Sequence, residues 1–156
     1  MPNIDSRKEW LLHYFISDLG MDLDRSISLP QVFLRCASLY RSKTALMEKR
    51  NGRYESITYG ELLEQARDFG MGMVSMGVAP RDRIVLFLKN SPAWVVSDFG
   101  TMFAGGATVP IYETLIPSAV RHILKDSGAV GLIVEDKKQF EKVKEVWPEL
   151  PALRFV

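Results

Sequence analysis

Few side chains in this sequence have both the chemistry and the spacing for catalysis. Gly70, Gly72 and Gly77 invite reading as a dinucleotide loop, but such a loop needs Gly-x-Gly-x-x-Gly after a strand and before a helix. Here the spacing differs and the segment precedes a strand, so close helix packing explains these glycines better. Ser91-Pro92 could open a helix, and helix N-termini attract phosphate. The loop has no glycine to let a phosphate reach the backbone, which leaves Ser91 as a cap and Pro92 as a first-turn residue. Cys36 lies mid-stripe in an apolar helical pattern, where a thiol is inert and serves as a small core residue. His13 and His122 are too few and too far apart to suggest a metal site. Arg121, His122 and Lys125 stand together on the outward side of a helix, and charged residues there are normally just solvated. The residues alone yield no catalytic group and no metal ligand.

Composition narrows the class further. The 156 residues are 47% hydrophobic and 25% charged, with 20 basic against 19 acidic side chains and a net charge of +1. That is ordinary for one globular domain and offers no global field for nucleic acid or an anionic membrane. Even the lysine-rich tract 121–149 carries six Lys/Arg against six Asp/Glu. A single cysteine excludes an internal disulfide and fits a reducing compartment. No apolar run approaches the roughly 20 residues that span a bilayer, and Met-Pro-Asn-Ile-Asp is not a signal peptide. The expected location is the cytoplasm, with peripheral attachment to a membrane as the remaining option.

The elements that must position any site follow from periodicity. Ser6 to Glu9 is a capping box before Trp10-Leu11-Leu12-His13-Tyr14-Phe15-Ile16, a helix expected to pack on the body, since it lacks the basic face of an interfacial helix. A linker follows to residue 27. Ser28 caps a second helix with a Leu29, Val32, Phe33, Cys36, Ala37, Tyr40 stripe. Asn51-Gly52 predicts a hairpin of Thr44 to Lys49 with Arg53 to Thr58, in which Ala45-Leu46-Met47 supplies the apolar side chains. Thr58 to Glu61 is a capping box for a long helix burying Leu62, Leu63, Ala66, Phe69, Gly70, Met73 and Val74, ended by Gly77 and Pro80.

Three short apolar runs come next: 84–88, 107–111 and 130–134. Helical patterns lie between them, which reads as βαβαβ, a parallel sheet covered on both faces. The helix from Trp94 to Ala104 is apolar on nearly every side and must be covered all round. Ser118 to Ser127 and Lys137 to Val146 are the last two helices, and a strand begins at Leu153. The loop Ile111 to Pro117 leaves the carboxyl end of its strand, the side where open α/β sheets bind ligands. Read one by one, the loops at these strand ends hold no convergent polar constellation.

Several stretches together resemble a known family. Ile57-Thr58-Tyr59-Gly60-Glu61-Leu62 leads into the helix ending at Met76-Gly77-Val78. Arg81-Asp82-Arg83-Ile84-Val85, Asn90-Ser91-Pro92-Ala93-Trp94 and Gly105-Gly106-Ala107-Thr108-Val109-Pro110-Ile111-Tyr112 follow. In order and spacing this is similar to the opening of the adenylate-forming (AMP-forming) acyl-CoA synthetases, over roughly Ser28 to Val156. The run Val109 to Leu115, Pro117 and Ile123-Leu124-Lys125-Asp126-Ser127 is most similar to the long-chain fatty-acid members. Arg81 departs from the family, which usually has glycine before Asp-Arg, and a less tight turn is expected there.

The resemblance implies the fold class: a doubly wound, mostly parallel α/β sheet with helices on both faces, the N-terminal subdomain of the adenylate-forming fold, plus a β-hairpin. It implies two parts, residues 1–27 as helix and linker and residues 28–156 as the N-terminal portion of a synthetase domain. It also implies a carboxylate attacking ATP to give an acyl-adenylate, followed by transfer to CoA. That chemistry needs a cradle and a metal for the phosphates. The family's Ser/Thr/Gly-rich phosphate loop, its aromatic-Gly-x-Thr-Glu motif, its ribose-binding aspartate and its C-terminal lysine are not among these 156 residues. No cofactor is therefore expected on this chain, with ATP, Mg2+ and CoA belonging to a complete enzyme. The expected partners are the remainder of a synthetase and, through it, a fatty acid. Arg121, His122 and Lys125 are expected to meet CoA phosphates, because the family binds CoA at the surface of its large domain. The leading expectation is a truncated or split long-chain fatty acid–CoA ligase, inactive and self-associating alone. The strand entered at Leu153 and the over-apolar helix favour it. The alternative is a freestanding, non-catalytic α/β module that binds a ligand or partner.

Overall fold

A computed structural model describes residues 27–156. The helix expected around Trp10 and the linker up to residue 26 lie outside the described residues. Helix α1 (Leu29–Leu39) starts where the Ser28 N–H donates to Gln31 Oε1 at 2.8 Å. Its stripe is only partly covered. Phe33 and Ala37 are buried, whereas Leu29 in the first turn is 67% exposed, beyond the reach of the helices that cover the middle.

Strands β1 (Thr44–Arg50) and β2 (Arg53–Thr58) pair antiparallel through Asn51 (φ 48°) and Gly52 (φ 80°), both left-handed as a tight hairpin turn demands. A register shift between Thr44 and Leu46 lets Ala45 and Leu46 both face the protein. Strand alternation then turns Met47 outward, 62% exposed, so the expectation that it packs inward fails.

Helix α2 (Tyr59–Ser75) opens on the Thr58–Glu61 capping box, both hydrogen bonds of which are present. Leu62, Ala66, Gly70 and Met73 are buried, while Val74 faces water, because it lies one residue past the inward line. Gly77 (φ 84°) ends the element as expected. The following turn does not relax at Arg81. Its φ of 72° keeps a left-handed conformation that costs an ordinary L-residue about 1–2 kcal/mol.

The sheet is β3 (Arg83–Phe87), β4 (Ala107–Pro110) and β5 (Gly131–Val134), all parallel, in the order β4-β3-β5. The central strand carries the core. Ile84, Val85, Leu86 and Phe87 are all at 0% exposure, and each contributes about 1.5–3 kcal/mol by burial. Val85 and Phe87 pack on one face with α4 (Pro117–Ser127) and α5 (Lys137–Val146). Ile84 and Leu86 pack on the other with the ends of α2 and α3 (Pro92–Phe103). This is the doubly covered sheet that the apolar runs predict. A short 3-10 turn (Trp147–Glu149) follows α5. Phe155 then bridges parallel to Gly131, and Arg154 N–H donates to Val130 O at 2.8 Å, placing the last residues beside β5.

Helix α3 departs from the expectation of all-round cover. Its buried line is small and polar (Ser97, Gly100, Thr101), and its large apolar residues are half-buried. The reason is close approach to α2. A Cβ on Gly100 would stand 2.8 Å from Ala66 O and 2.6 Å from Phe69 Cδ1, and one on Gly70 2.7 Å from Gly100 O. Gly72 meets nothing within 4 Å, so close packing accounts for Gly70 and not for Gly72.

Candidate functional site

The carboxyl ends of β3, β4 and β5 open onto two clefts divided by the residues after β3. The connection from β3 runs to α3 on one face and that from β5 to α5 on the other, so the strand ends part, as at the switch points where open sheets bind ligands. The first cleft, about 610 Å³, has Leu88, Trp94 and Ile111 as apolar walls and Lys89, Asn90 and Thr114 among its polar groups. Volumes of this order are typical of small-molecule sites. The second, about 580 Å³, has a floor that includes Phe69, Val96 and Ile133, with Glu48, Arg50, Lys89 and Glu135 at its rim.

Local sequence explains how these groups are held. Ser91 Oγ accepts from Trp94 N–H at 3.3 Å, so the cap that starts α3 also places Trp94 in the first cleft. Asp98 Oδ1 accepts from Thr108 Oγ1 at 2.7 Å, tying α3 to β4. Lys142 of α5 donates to Leu115 O at 3.0 Å and lies 5.5 Å from the Phe87 ring centroid, pinning the loop after β4. That loop leaves Tyr112 81% exposed on the first cleft.

Lys89 stands where the two clefts meet. Its Nζ lies 2.5 Å from Glu135 Oε1, and its N–H donates to Glu135 Oε2 at 3.3 Å. The Glu135 carboxylate, by hydrogen bond first and charge second, holds the Lys89 ammonium above the ordinary lysine range. Glu135 itself is on a fixed turn. Its N–H donates to Gln139 Oε1 at 2.8 Å, and Asp136 caps α5.

Arg121, His122 and Lys125 share α4, and none of them lines either cleft. Arg121 Nη1 pairs with Glu149 Oε2 at 2.7 Å, while His122 and Lys125 are exposed. The structure therefore leaves His122 and Lys125 facing water and gives Arg121 a carboxylate. Cys36 is half-buried on α1. Among the described residues no group of three or more His, Cys, Asp or Glu side chains is placed to hold a metal ion. Nor is any helix there long and apolar enough to cross a membrane.

Lys89 and Lys142 have no local sequence signal as site residues, and Trp94 reads from sequence only as the start of an apolar helix and part of the family-like stretch 90–94. The usable signal was position. Lys89 and Glu135 each follow directly on an apolar run, and residues there converge at one edge of a parallel sheet.

Comparison with known proteins agrees with this fold. A family model described as AMP-binding enzyme matches residues 33–156. The long-chain-fatty-acid–CoA ligase ACSBG1 of Mus musculus is 33% identical over 132 residues, covering 85% of this chain and 18% of that protein. FadD15 of Mycobacterium bovis, a ligase of the same description, is 38% identical over 106 residues, covering 68% of this chain and 18% of its own. The chain thus spans about 18% of the length of these relatives. Among solved structures, the long-chain-fatty-acid–CoA ligase FadD1 of Archaeoglobus fulgidus superposes with a TM-score of 0.76 at 24% identity, over 85% of this chain and 27% of that one.

Proposed function

This chain belongs to the AMP-binding enzyme family, and we infer that it forms the N-terminal part of an AMP-forming long-chain fatty acid–CoA ligase. In that reaction a carboxylate and ATP give an acyl-adenylate, and the acyl group passes to CoA. The observation that carries the reading is the family match over 33–156 to chains several times longer, which are ligases of this kind. The contribution of these residues is structural. They provide a covered sheet and two clefts at its carboxyl edge, against which a nucleotide-binding part packs. ATP and Mg2+ belong to that part, since adenylyl chemistry needs positioned charge at the phosphates. On this reading the synthetase portion runs from residue 28.

CoA is the cofactor for which this chain offers candidate groups. Arg121, His122 and Lys125 lie together on one helix, and Arg121 would exchange Glu149 for a phosphate. Exposed pairs such as this one are worth little, so the exchange is cheap. In a full-length relative carrying these residues, replacing all three by alanine is expected to raise the KM for CoA and leave adenylation unchanged. An unchanged CoA dependence would remove them from the site.

A chimera tests the function as a whole. Residues 33–156 replacing the matching segment of a long-chain ligase should retain palmitate-dependent acyl-CoA formation. A folded chimera that accepts ATP and no fatty acid would overturn the long-chain reading.

A further inference from the structure

We propose that the loop 112–116 is a strap along the first cleft and that Lys142 of α5 is its clasp, one side chain whose release opens the cleft and leaves the sheet folded. The two ends of the strap are fixed by the fold. Ile111 is buried and its N–H donates to Leu86 O at 3.0 Å, while Pro117 begins α4. Between those ends the chain has little hold of its own. Tyr112, Glu113, Thr114 and Ile116 are exposed, and the backbone bond within the strap is one turn, Leu115 N–H to Tyr112 O at 3.1 Å. Leu115 reaches the core as a partly buried side chain. Among the described residues, the hydrogen bonds that tie 112–115 to another element come from Lys142. Its Nζ donates to Leu115 O at 3.0 Å, with a longer contact of 3.5 Å to Glu113 O. The same ammonium lies 5.5 Å from the ring centroid of the fully buried Phe87, so the clasp rests on the central strand. Lys142 does not itself line the cleft; it holds the main chain of the wall that Tyr112, Glu113 and Thr114 form. A charged donor makes the stronger class of hydrogen bond. Once it is released, water can satisfy carbonyls on an exposed loop, so the open state is within reach of the closed one.

Limited proteolysis of the 156-residue chain with a glutamate-specific protease tests the clasp. Glu113 lies in the strap, and cleavage there follows local opening when reclosing is fast. Lys142→Met keeps the stem's packing and removes the charged donor. It is expected to speed cleavage after Glu113 about tenfold. Cleavage after Glu145 in α5 and after Glu149 in the turn beyond it should keep the wild-type rate, and the melting temperature should barely move. Lys142→Arg keeps the donors and a cation for the ring, and should return the Glu113 rate to near wild type. A Glu113 rate that ignores Lys142→Met would overturn the proposal. So would acceleration at all three glutamates together, which would make Lys142 a general support of the fold, or an arginine variant as labile as the methionine one. None of these readouts involves acyl-CoA formation, so failure of the strap and failure of the ligase reading are told apart.

Discussion

Arg81 carries a backbone conformation suited to glycine, and its cost is measurable. Its φ of 72° costs an L-residue about 1–2 kcal/mol, while glycine there would lose about 0.5–1 kcal/mol more chain entropy on folding. The first effect wins, so Arg81→Gly is expected to stabilise by up to about 1 kcal/mol in urea unfolding. Arg81→Ala, which keeps the Cβ, should be nearly neutral. A destabilised glycine variant would show that the turn is not strained. Glu61 offers a second test, through pH. Its Oε2 accepts from Thr58 N–H at 2.8 Å and from Thr58 Oγ1 at 2.9 Å, and the backbone bond, then the hydroxyl, hold the carboxyl below its ordinary 4.5. Because the folded value is the lower one, the charged form's contribution is complete above the unfolded value and is lost as pH falls through the folded one. The melting-point difference between wild type and Glu61→Gln should therefore be constant above about pH 5 and shrink below about pH 4. A difference that ignores pH would contradict the capping account.

Among the elements, the α2–α3 crossing decides how the upper layer is built. Gly100→Ala drives a Cβ to 2.8 Å from Ala66 O, a backbone atom that cannot step aside, and is expected to destabilise by about 2 kcal/mol or more. Gly72→Ala on the same pair of helices meets nothing within 4 Å and should stabilise by about 0.5–1 kcal/mol through helix propensity. Thermal melts of the two variants shifting in the same direction would refute the crossing. Much at this scale was legible in the sequence. The three parallel strands, the Asn51-Gly52 hairpin and the capped starts at Ser28, Thr58 and Ser91 all follow from period, turn and cap chemistry, which are local. What was not legible depends on distant partners. Leu29, Met47 and Val74 look like core by periodicity alone, but whether a face is covered is decided by which helix lies above it. Lys89 meets Glu135 only because β3 and β5 are neighbours in the sheet, 46 residues apart in sequence, and no local pattern reports strand order.

As the proposed N-terminal part of a larger ligase, this chain must present surfaces for the rest to cover. Met71, Val74 and Met76 near the end of α2, Tyr112 on the first cleft and Ile116 at the start of α4 are all exposed apolar groups. Contiguous patches beyond a few hundred Å² mark surfaces that partners cover. The purified 156-residue chain should therefore self-associate and bind a hydrophobic dye, and a monodisperse monomer without dye binding would speak for the freestanding module. ATP–pyrophosphate exchange bears on the central claim most directly. The chain alone, cleared of host synthetase, is predicted to give no acyl-dependent exchange. Mixed with the part of a long-chain ligase that follows the position matching Val156, it is predicted to restore exchange, driven by burial of the order of 1,000 Å² or more. Exchange by the 156 residues alone would contradict the account, because a phosphate site would then exist within them.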